Sequence, residues 1–209
     1  MDRVRIRPGE SLGVALRPAL AALGGGGIVA FPTETFYGLA VDPRSAIAVG
    51  RLAALKRRGL DHPFPLIAAS QQQVIAHVGE MTPLARQLSL RGWPGPLTLI
   101  IPAAAEVCAD VHLGTGRVGV RVPDHLVARA LAERAGHAIT STSANMSGMP
   151  PASTADQVLA AFGEDIDALL DAGPTPGGLP STVVDATGTD PVLVRAGAIP
   201  WARVLEFLH

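Results

Sequence analysis

The chain has 209 residues, of which 48% are hydrophobic and 17% charged, and its formal net charge is -1. This composition is typical of one globular domain with an ample core, and it excludes an overall basic field that would grip nucleic acid. The apolar stretches are too short for a membrane span and no secretory signal opens the chain, so a cytoplasmic protein is expected. Cys108 is the single cysteine, which excludes an internal disulfide and a cysteine-based metal cluster.

Helical and strand patterns alternate along the chain. Apolar residues at helical spacing predict a helix over 12–23, which the glycines at 24–27 end, and "IVAF" predicts a buried strand after it. A second helix is predicted from Ser45 to Lys56, ahead of a short strand, "PLIAAS". The remaining predicted elements are, in order, a helix at "PLARQLSL", strands at "LTLIIP" and "VGVRVP", a helix at "HLVARALAERAG", a strand at "AITSTS", a helix at "TADQVLAAFG", strands at "DALLDA", "STVVDA" and "PVLVRAG", and a helix at "WARVLEFLH".

This alternation predicts an α/β fold: one domain over residues 1–209, with a twisted mixed sheet flanked by helices. The sheet is expected to be mixed because the last two strands surround a Gly and Pro turn, which predicts an antiparallel hairpin. The segment from Ala172 to Pro180 is rich in glycine and proline. It is either a lid that closes over a site or an ordinary surface connection.

Lys56 is the only lysine in the chain, since the other 16 of its 17 basic residues are arginines. A lysine provides a compact ammonium on a flexible stem, whereas an arginine provides a planar fork, and the two are not interchangeable where a point charge must reach one spot. Lys56 is therefore a candidate for chemistry. The alternative is a chance cation in the last turn of a helix.

Polar residues gather at the ends of predicted strands, where open α/β sheets bind their ligands. The clusters are Thr33, Glu34 and Thr35; Lys56, Arg57, Arg58 and His62; Ser141, Thr142, Ser143 and Asn145; and Ser181 with Arg195. Hydroxyls, an amide and cations suit an anionic ligand such as a nucleotide phosphate or a carboxylate. Arg121 interrupts an apolar strand and would need an anionic partner. Each cluster also has a structural alternative, such as capping by the two threonines or pairing of Arg195 with Asp185.

Six segments occur in the order typical of one enzyme family. They are "FPTETFYGLAVD", Lys-x-Arg at 56 and 58, "WPGPLTLIIP", "VGVRVPDH", "STSANMSG", and "STVVDATG" followed by "LVRAG". Between about Gly26 and Gly197 the chain thus resembles the YrdC-like threonylcarbamoyl-adenylate synthases, in their bacterial short, single-domain form.

The resemblance implies a YrdC-like fold with a concave basic cleft. It also implies an ATP-dependent nucleotidyltransferase that forms threonylcarbamoyl-AMP and pyrophosphate from L-threonine, bicarbonate or carbon dioxide, and ATP. Downstream proteins would transfer the threonylcarbamoyl group to a tRNA adenosine beside the anticodon, and weak tRNA binding is expected. Mg²⁺ would accompany ATP, held by substrate oxygens and water rather than by the protein. No tightly bound organic cofactor is expected.

By matching position, the resemblance also implies site residues. The catalytic residues would be Lys56 and Arg58, with Lys56 a mobile point charge on the triphosphate. The threonine contacts would be Thr35, Arg121, Ser141 and Ser181, and the ATP contacts would be Lys56, Arg58, His62, Arg117, Ser143, Asn145 and Arg195. Two other functions remain open: an RNA-binding module of this fold without synthase activity, and a carbamoyl-adenylate-handling domain of the hydrogenase-maturation type.

Overall fold

Strands and helices alternate in the structure, a computed structural model that describes residues 1–7, 9–57 and 62–209. The strands in this part are β1 Asp2–Arg5, β2 Val29–Pro32, β3 Tyr37–Ala40, β4 Leu66–Ile67, β5 Leu97–Pro102, β6 Arg117–Arg121, β7 Ile139–Thr140, β8 Thr142–Ser143, β9 Ala168–Asp171, β10 Thr182–Asp185 and β11 Val192–Arg195. The helices are α1 Leu12–Ala15, α2 Arg17–Gly24, α3 Ala46–Leu55, α4 Gln71–His77, α5 Pro83–Gly92, α6 Ala109–His112, α7 Leu126–Ala135, α8 Ala155–Phe162 and α9 Trp201–Glu206, with a 3₁₀ turn at Gly163–Asp165.

The strands form two mixed sheets. One has five strands in the order β1-β9-β2-β3-β8, and the other has six in the order β11-β10-β5-β6-β4-β7. Each contains parallel and antiparallel pairs, such as β2 with β9 and with β3 in the first sheet. The predicted α/β class and mixed strand directions are confirmed, and β10 pairs antiparallel with β11 as the hairpin pattern predicted. The expectation of one sheet was wrong.

Several predicted elements have different bounds in the structure. The helix predicted over 12–23 is two helices, because Pro18 lies in the first turn of α2 and lacks the N–H that would continue α1. The strand predicted at "AITSTS" is divided at Ser141, with β7 in the six-stranded sheet and β8 in the five-stranded one. Four further elements, β1, β3, α4 and α6, were not predicted.

The core joins the two sheets. One buried cluster includes Leu39 of β3 together with Leu99 of β5, and a second includes Phe31 of β2 with Ile67 of β4. Helices α2 and α7 cover the second cluster with Leu23 and Leu131. Each fully buried side chain of this kind contributes about 1.5–3 kcal/mol, so the sheets stabilise each other. Within the described residues, no helix has the length and apolar character needed to cross a bilayer.

Candidate active site

A cavity of about 440 Å³ is lined by residues from both sheets. Gly38 and Ser143 come from the five-stranded sheet, and Thr98, Arg121 and Arg195 come from the six-stranded sheet. Seven of the predicted site residues line this cavity: Thr35, His62, Arg121, Ser141, Ser143, Ser181 and Arg195. Residues far apart in sequence are thus brought to one concave surface.

The turn after β2 presents Thr35 to the cavity. The Thr33 hydroxyl donates to the Phe36 carbonyl at 2.7 Å and accepts from the backbone N–H of Thr35 at 3.2 Å, so Thr33 is the turn-capping residue. The two threonine hydroxyls lie 3.1 Å apart. Because the proton of Thr33 is already donated, Thr35 is the donor between them, and the lone pairs of Thr35 remain available to a ligand N–H or O–H.

Arg121, at the end of β6, is a buried cation that forms an ion pair with Glu34. Desolvation lowers the pKa of the Arg121 guanidinium, and the adjacent Glu34 carboxylate opposes that effect. Glu34 Oε2 is buried and has no hydrogen-bond partner among the described residues. The predicted need of Arg121 for an anionic partner is therefore met by a protein carboxylate, while the arginine still lines the cavity.

Ser181 and Arg195 contact each other where β10 and β11 meet the cavity. Arg195 Nη2 donates to the Ser181 carbonyl at 2.8 Å and to Ser181 Oγ at 3.1 Å. Desolvation lowers the pKa of the Arg195 guanidinium. Ser181 Oγ also lies 2.9 Å from the hydroxyl of Thr98. The alternative pairing of Arg195 with Asp185 does not occur, because Asp185 contacts Arg117 instead.

Lys56 lies at the C-terminal end of helix α3, next to the turn that follows β8. Lys56 is only 3% exposed, and its Nζ donates to the Ser143 carbonyl at 2.5 Å. Ser143 Oγ donates to Asn145 Oδ1 at 2.5 Å, and the Asn145 amide donates to the Met149 carbonyl at 2.6 Å. The lysine is therefore buried against this turn, which differs from the mobile charge expected from sequence. Asn145 does not line the cavity but orients the serine that does.

Three of the predicted ATP contacts in the described residues, Lys56, Asn145 and Arg117, do not line the cavity. Arg117 begins β6 and Arg121 ends it, which separates their Cα atoms by about 13 Å at the usual strand rise. The Arg117 side chain is exposed and contacts Asp185 at 3.3 Å. Arg58 lies outside the described residues.

Two residues near the cavity were not among the predicted threonine and ATP contacts. Thr98 lines the cavity from the middle of β5, and Glu34 neutralises Arg121. A polar residue within the apolar run "LTLIIP" was the available signal for Thr98, and the position of Glu34 between two threonines was the signal for the carboxylate. Residues 1–7, 9–57 and 62–209 contain no group of three or more histidine, cysteine or acidic residues arranged to hold a metal ion.

The fold and the cavity together define a class of protein: a two-sheet α/β domain whose cleft combines hydroxyls with arginine side chains. The family model of Sua5, YciO and YrdC, described as telomere recombination, matches residues 21–197. The chain belongs to this family.

Relatives in the family share an enzyme name. The threonylcarbamoyl-AMP synthase of Pyrococcus abyssi is 38% identical over 189 residues, which are 90% of this chain and 56% of that protein. The enzyme of the same name from Alkalilimnicola ehrlichii is 44% identical over 161 residues, 77% of this chain and 84% of its own length. The crystal structure of P. abyssi Sua5 complexed with L-threonine has a TM-score of 0.91 at 36% identity, covering 99% of this chain and 60% of that one. The chain thus spans little more than half of the P. abyssi relative.

Proposed function

We propose that this protein is an L-threonylcarbamoyladenylate synthase, which forms threonylcarbamoyl-AMP and pyrophosphate from L-threonine, bicarbonate or carbon dioxide, and ATP. One observation carries the proposal: a single cavity is lined by all four residues assigned to threonine by resemblance and by three of those assigned to ATP. The relatives that carry this enzyme name support it.

The reaction brings two anions together. The threonine amine and carbon dioxide give a carbamate, and a carbamate oxygen then bonds to the α-phosphorus of ATP while the bond from that phosphorus to the bridging oxygen breaks. The electron pair of that bond leaves with pyrophosphate. Cations must offset the charge that accumulates, and holding both reactants in one site lowers the entropic part of the barrier. Arg195 and Lys56 would provide this charge, and Mg²⁺ would accompany the triphosphate, bound by its oxygens and water.

Arg121 and the hydroxyls of Thr35, Ser141 and Ser181 would bind the amino-acid substrate at one end of the cavity. The Arg121 guanidinium has five N–H donors, of which Glu34 engages one side, so the others are available to a carboxylate. Thr35 presents lone pairs, which suits the hydroxyl or amine of threonine. Ser141 and Ser181 add hydroxyls from the two adjoining strand ends.

The test of this function is incubation of the purified protein with ATP, L-threonine and labelled bicarbonate. Pyrophosphate release that depends on both co-substrates is expected. Binding of tRNA without any such release would favour the RNA-binding module. Release that requires carbamoyl phosphate in place of threonine and bicarbonate would favour the hydrogenase-maturation type. The product would pass to tRNA threonylcarbamoyl-transfer proteins in the cytoplasm.

Two arginines allow a sharper test, because resemblance assigns both to ATP but only Arg195 lines the cavity. We expect Arg195→Met to raise the KM for ATP by about 10- to 100-fold, the effect of losing a charged hydrogen bond. Arg117→Met should change it by less than about threefold, since that side chain is exposed and pairs with Asp185. Equal effects in the two variants would contradict this assignment.

A further inference from the structure

Thr98 is held in one orientation at the floor of the cavity. It lies in β5, is 4% exposed, and is flanked by β10 on one side and β6 on the other. A Cβ atom on Gly119 of β6 would come within 3.2 Å of the Thr98 methyl group, so a side chain at position 119 would crowd that methyl. With the methyl packed against β6, the hydroxyl of Thr98 points to Ser181 Oγ, 2.9 Å away.

The Ser181 hydroxyl has one proton and two lone pairs. One lone pair accepts the N–H of Arg195 Nη2 at 3.1 Å. If the Thr98 hydroxyl donates to the second lone pair, the proton of Ser181 has to point away from both neighbours. Its remaining direction is the cavity, which Ser181 lines. In this arrangement Ser181 presents a hydrogen-bond donor to whatever occupies the site.

We propose that Thr98 is a positioning residue, which acts through Ser181 by making that serine a donor to an oxygen of the amino-acid substrate. The inference rests on the proposed function and goes beyond it, because resemblance assigns no role to Thr98. A hydroxyl is needed at this position, since without its donated proton the direction of the Ser181 proton would be undetermined. Arg195 contacts the same serine, so the amino-acid and nucleotide contacts share one oriented group.

The main test is the Thr98→Val variant, which keeps the shape and the methyl contact with Gly119 but removes the hydroxyl. Binding of L-threonine alone to the purified protein is measured by calorimetry, and KM values are obtained from pyrophosphate release. We expect the Kd for L-threonine to rise about five- to tenfold, as for loss of one oriented hydrogen bond. The KM for ATP should change by less than about twofold, because Arg195 keeps its bond to the Ser181 carbonyl.

Two further variants separate positioning from a merely structural role. Thr98→Ser restores the hydroxyl and should return the Kd for L-threonine to within about twofold of wild type. Thr187→Val is the matched control, since that hydroxyl bonds to the Asp185 carboxylate at 2.6 Å and does not line the cavity. It should leave threonine binding unchanged.

The outcomes that overturn the inference are distinct. An unchanged Kd for L-threonine in Thr98→Val would exclude a positioning role, and parallel losses for threonine and ATP with a lowered unfolding midpoint would assign a structural one. Thr98 acts through Ser181 only if Thr98→Val adds no loss in a Ser181→Ala background; an added loss would make Thr98 a direct contact and overturn the proposal. Wild-type protein that neither binds threonine nor releases pyrophosphate would overturn the proposed function, and this inference with it.

Discussion

At the scale of single residues, Lys56 has a buried structural contact in addition to the chemical role proposed for it. Its ammonium is buried at the end of α3 and donates to the Ser143 carbonyl at 2.5 Å. A guanidinium is larger and planar, so it would not fit the same short contact. We expect Lys56→Arg to lower kcat/KM for ATP by about 100-fold or more, measured by pyrophosphate release, because a misfit at Ser143, which lines the cavity, would displace groups that must be placed closely for the reaction.

Because Lys56 is buried, we expect the Lys56→Ala variant to lose stability. From sequence alone, Lys56→Ala is expected to leave the fold intact, but the contact with Ser143 predicts a loss of stability as well as of activity. Urea unfolding of both variants separates the two effects. A Lys56→Arg protein with wild-type activity would show that the site needs only a positive charge and would contradict the argument from the single lysine.

The ion pair between Glu34 and Arg121 is a second feature at this scale, and breaking it should measurably lower the free energy of unfolding. Both side chains are largely buried, at 14% and 9% exposure, so neutralising one leaves an uncompensated charge. We expect Glu34→Gln to lower the free energy of unfolding by about 3 kcal/mol, measured by urea denaturation. The control is Glu206→Gln, which alters an exposed pair with Arg203 and should cost less than about 1 kcal/mol. Similar costs for the two variants would show that burial of the Glu34 pair is unimportant.

The sequence predicted the cavity residues better than it predicted their partners. Thr35, Ser143 and Ser181 line the cavity as strand-end polarity predicted, because polar residues next to apolar strands are recognisable locally. The partners are long-range: Glu34 is 87 positions from Arg121, and Thr98 is 83 from Ser181. Local pattern carries no information on such pairs, so their identity required the folded chain.

At the scale of elements, the division of "AITSTS" shows why two sheets were missed. The run reads as one strand because β-branched residues, Ile139, Thr140 and Thr142, lie on both sides of Ser141. In the structure the Ser141 N–H donates to the Pro65 carbonyl at 2.7 Å, and the chain leaves one sheet for the other at this residue. Strand pairing depends on partners distant in sequence, whereas helices such as α5 and α7 depend on local periodicity and were located within a few residues.

The segment from Ala172 to Pro180, considered as a lid, is fixed at its first half. The N–H groups of Thr175 and Gly177 donate to the Ser153 and Thr35 carbonyls, each at 2.8 Å, and the Tyr37 hydroxyl donates to the Gly173 carbonyl at 2.7 Å. These contacts tie residues 173–177 to the body of the protein. Leu179, by contrast, is 62% exposed beside the cavity residue Pro180.

We therefore expect movement on ligand binding to be confined to Gly178 and Leu179, because the Pro180 carbonyl accepts the N–H of Ala198 at 2.8 Å. Hydrogen exchange should show Thr175 and Gly177 protected without ligand, because their amides are bonded. Addition of ATP and L-threonine should slow exchange at Gly178 and Leu179. Protection that is unchanged there would make the whole segment a surface connection, and fast exchange at Thr175 without ligand would show that the first half is not fixed.

At the scale of the whole molecule, the cavity depends on both sheets being in place. Residues of each sheet line it, and the buried cluster that contains Leu39 of β3 also contains Leu99 of β5. The chain passes from one sheet to the other between β7 and β8, where Ser141 is the single connecting residue. Separating the two sheets would expose apolar surface on both to water, at a free-energy cost of about 25 cal/mol for each Å² exposed.

Cooperative unfolding is the consequence, and it tests the prediction of a single domain over residues 1–209. Trp93 and Trp201 pack against the shared core, and the Trp93 indole donates to the Leu97 carbonyl of β5 at 2.7 Å. Tryptophan fluorescence therefore reports on the six-stranded sheet, while far-ultraviolet circular dichroism reports on all strands and helices. We expect the two urea transitions to coincide, and L-threonine with ATP to shift both equally, because ligands that bind only the native state stabilise the whole cooperative unit. Separated midpoints would mean that the two sheets unfold as independent units.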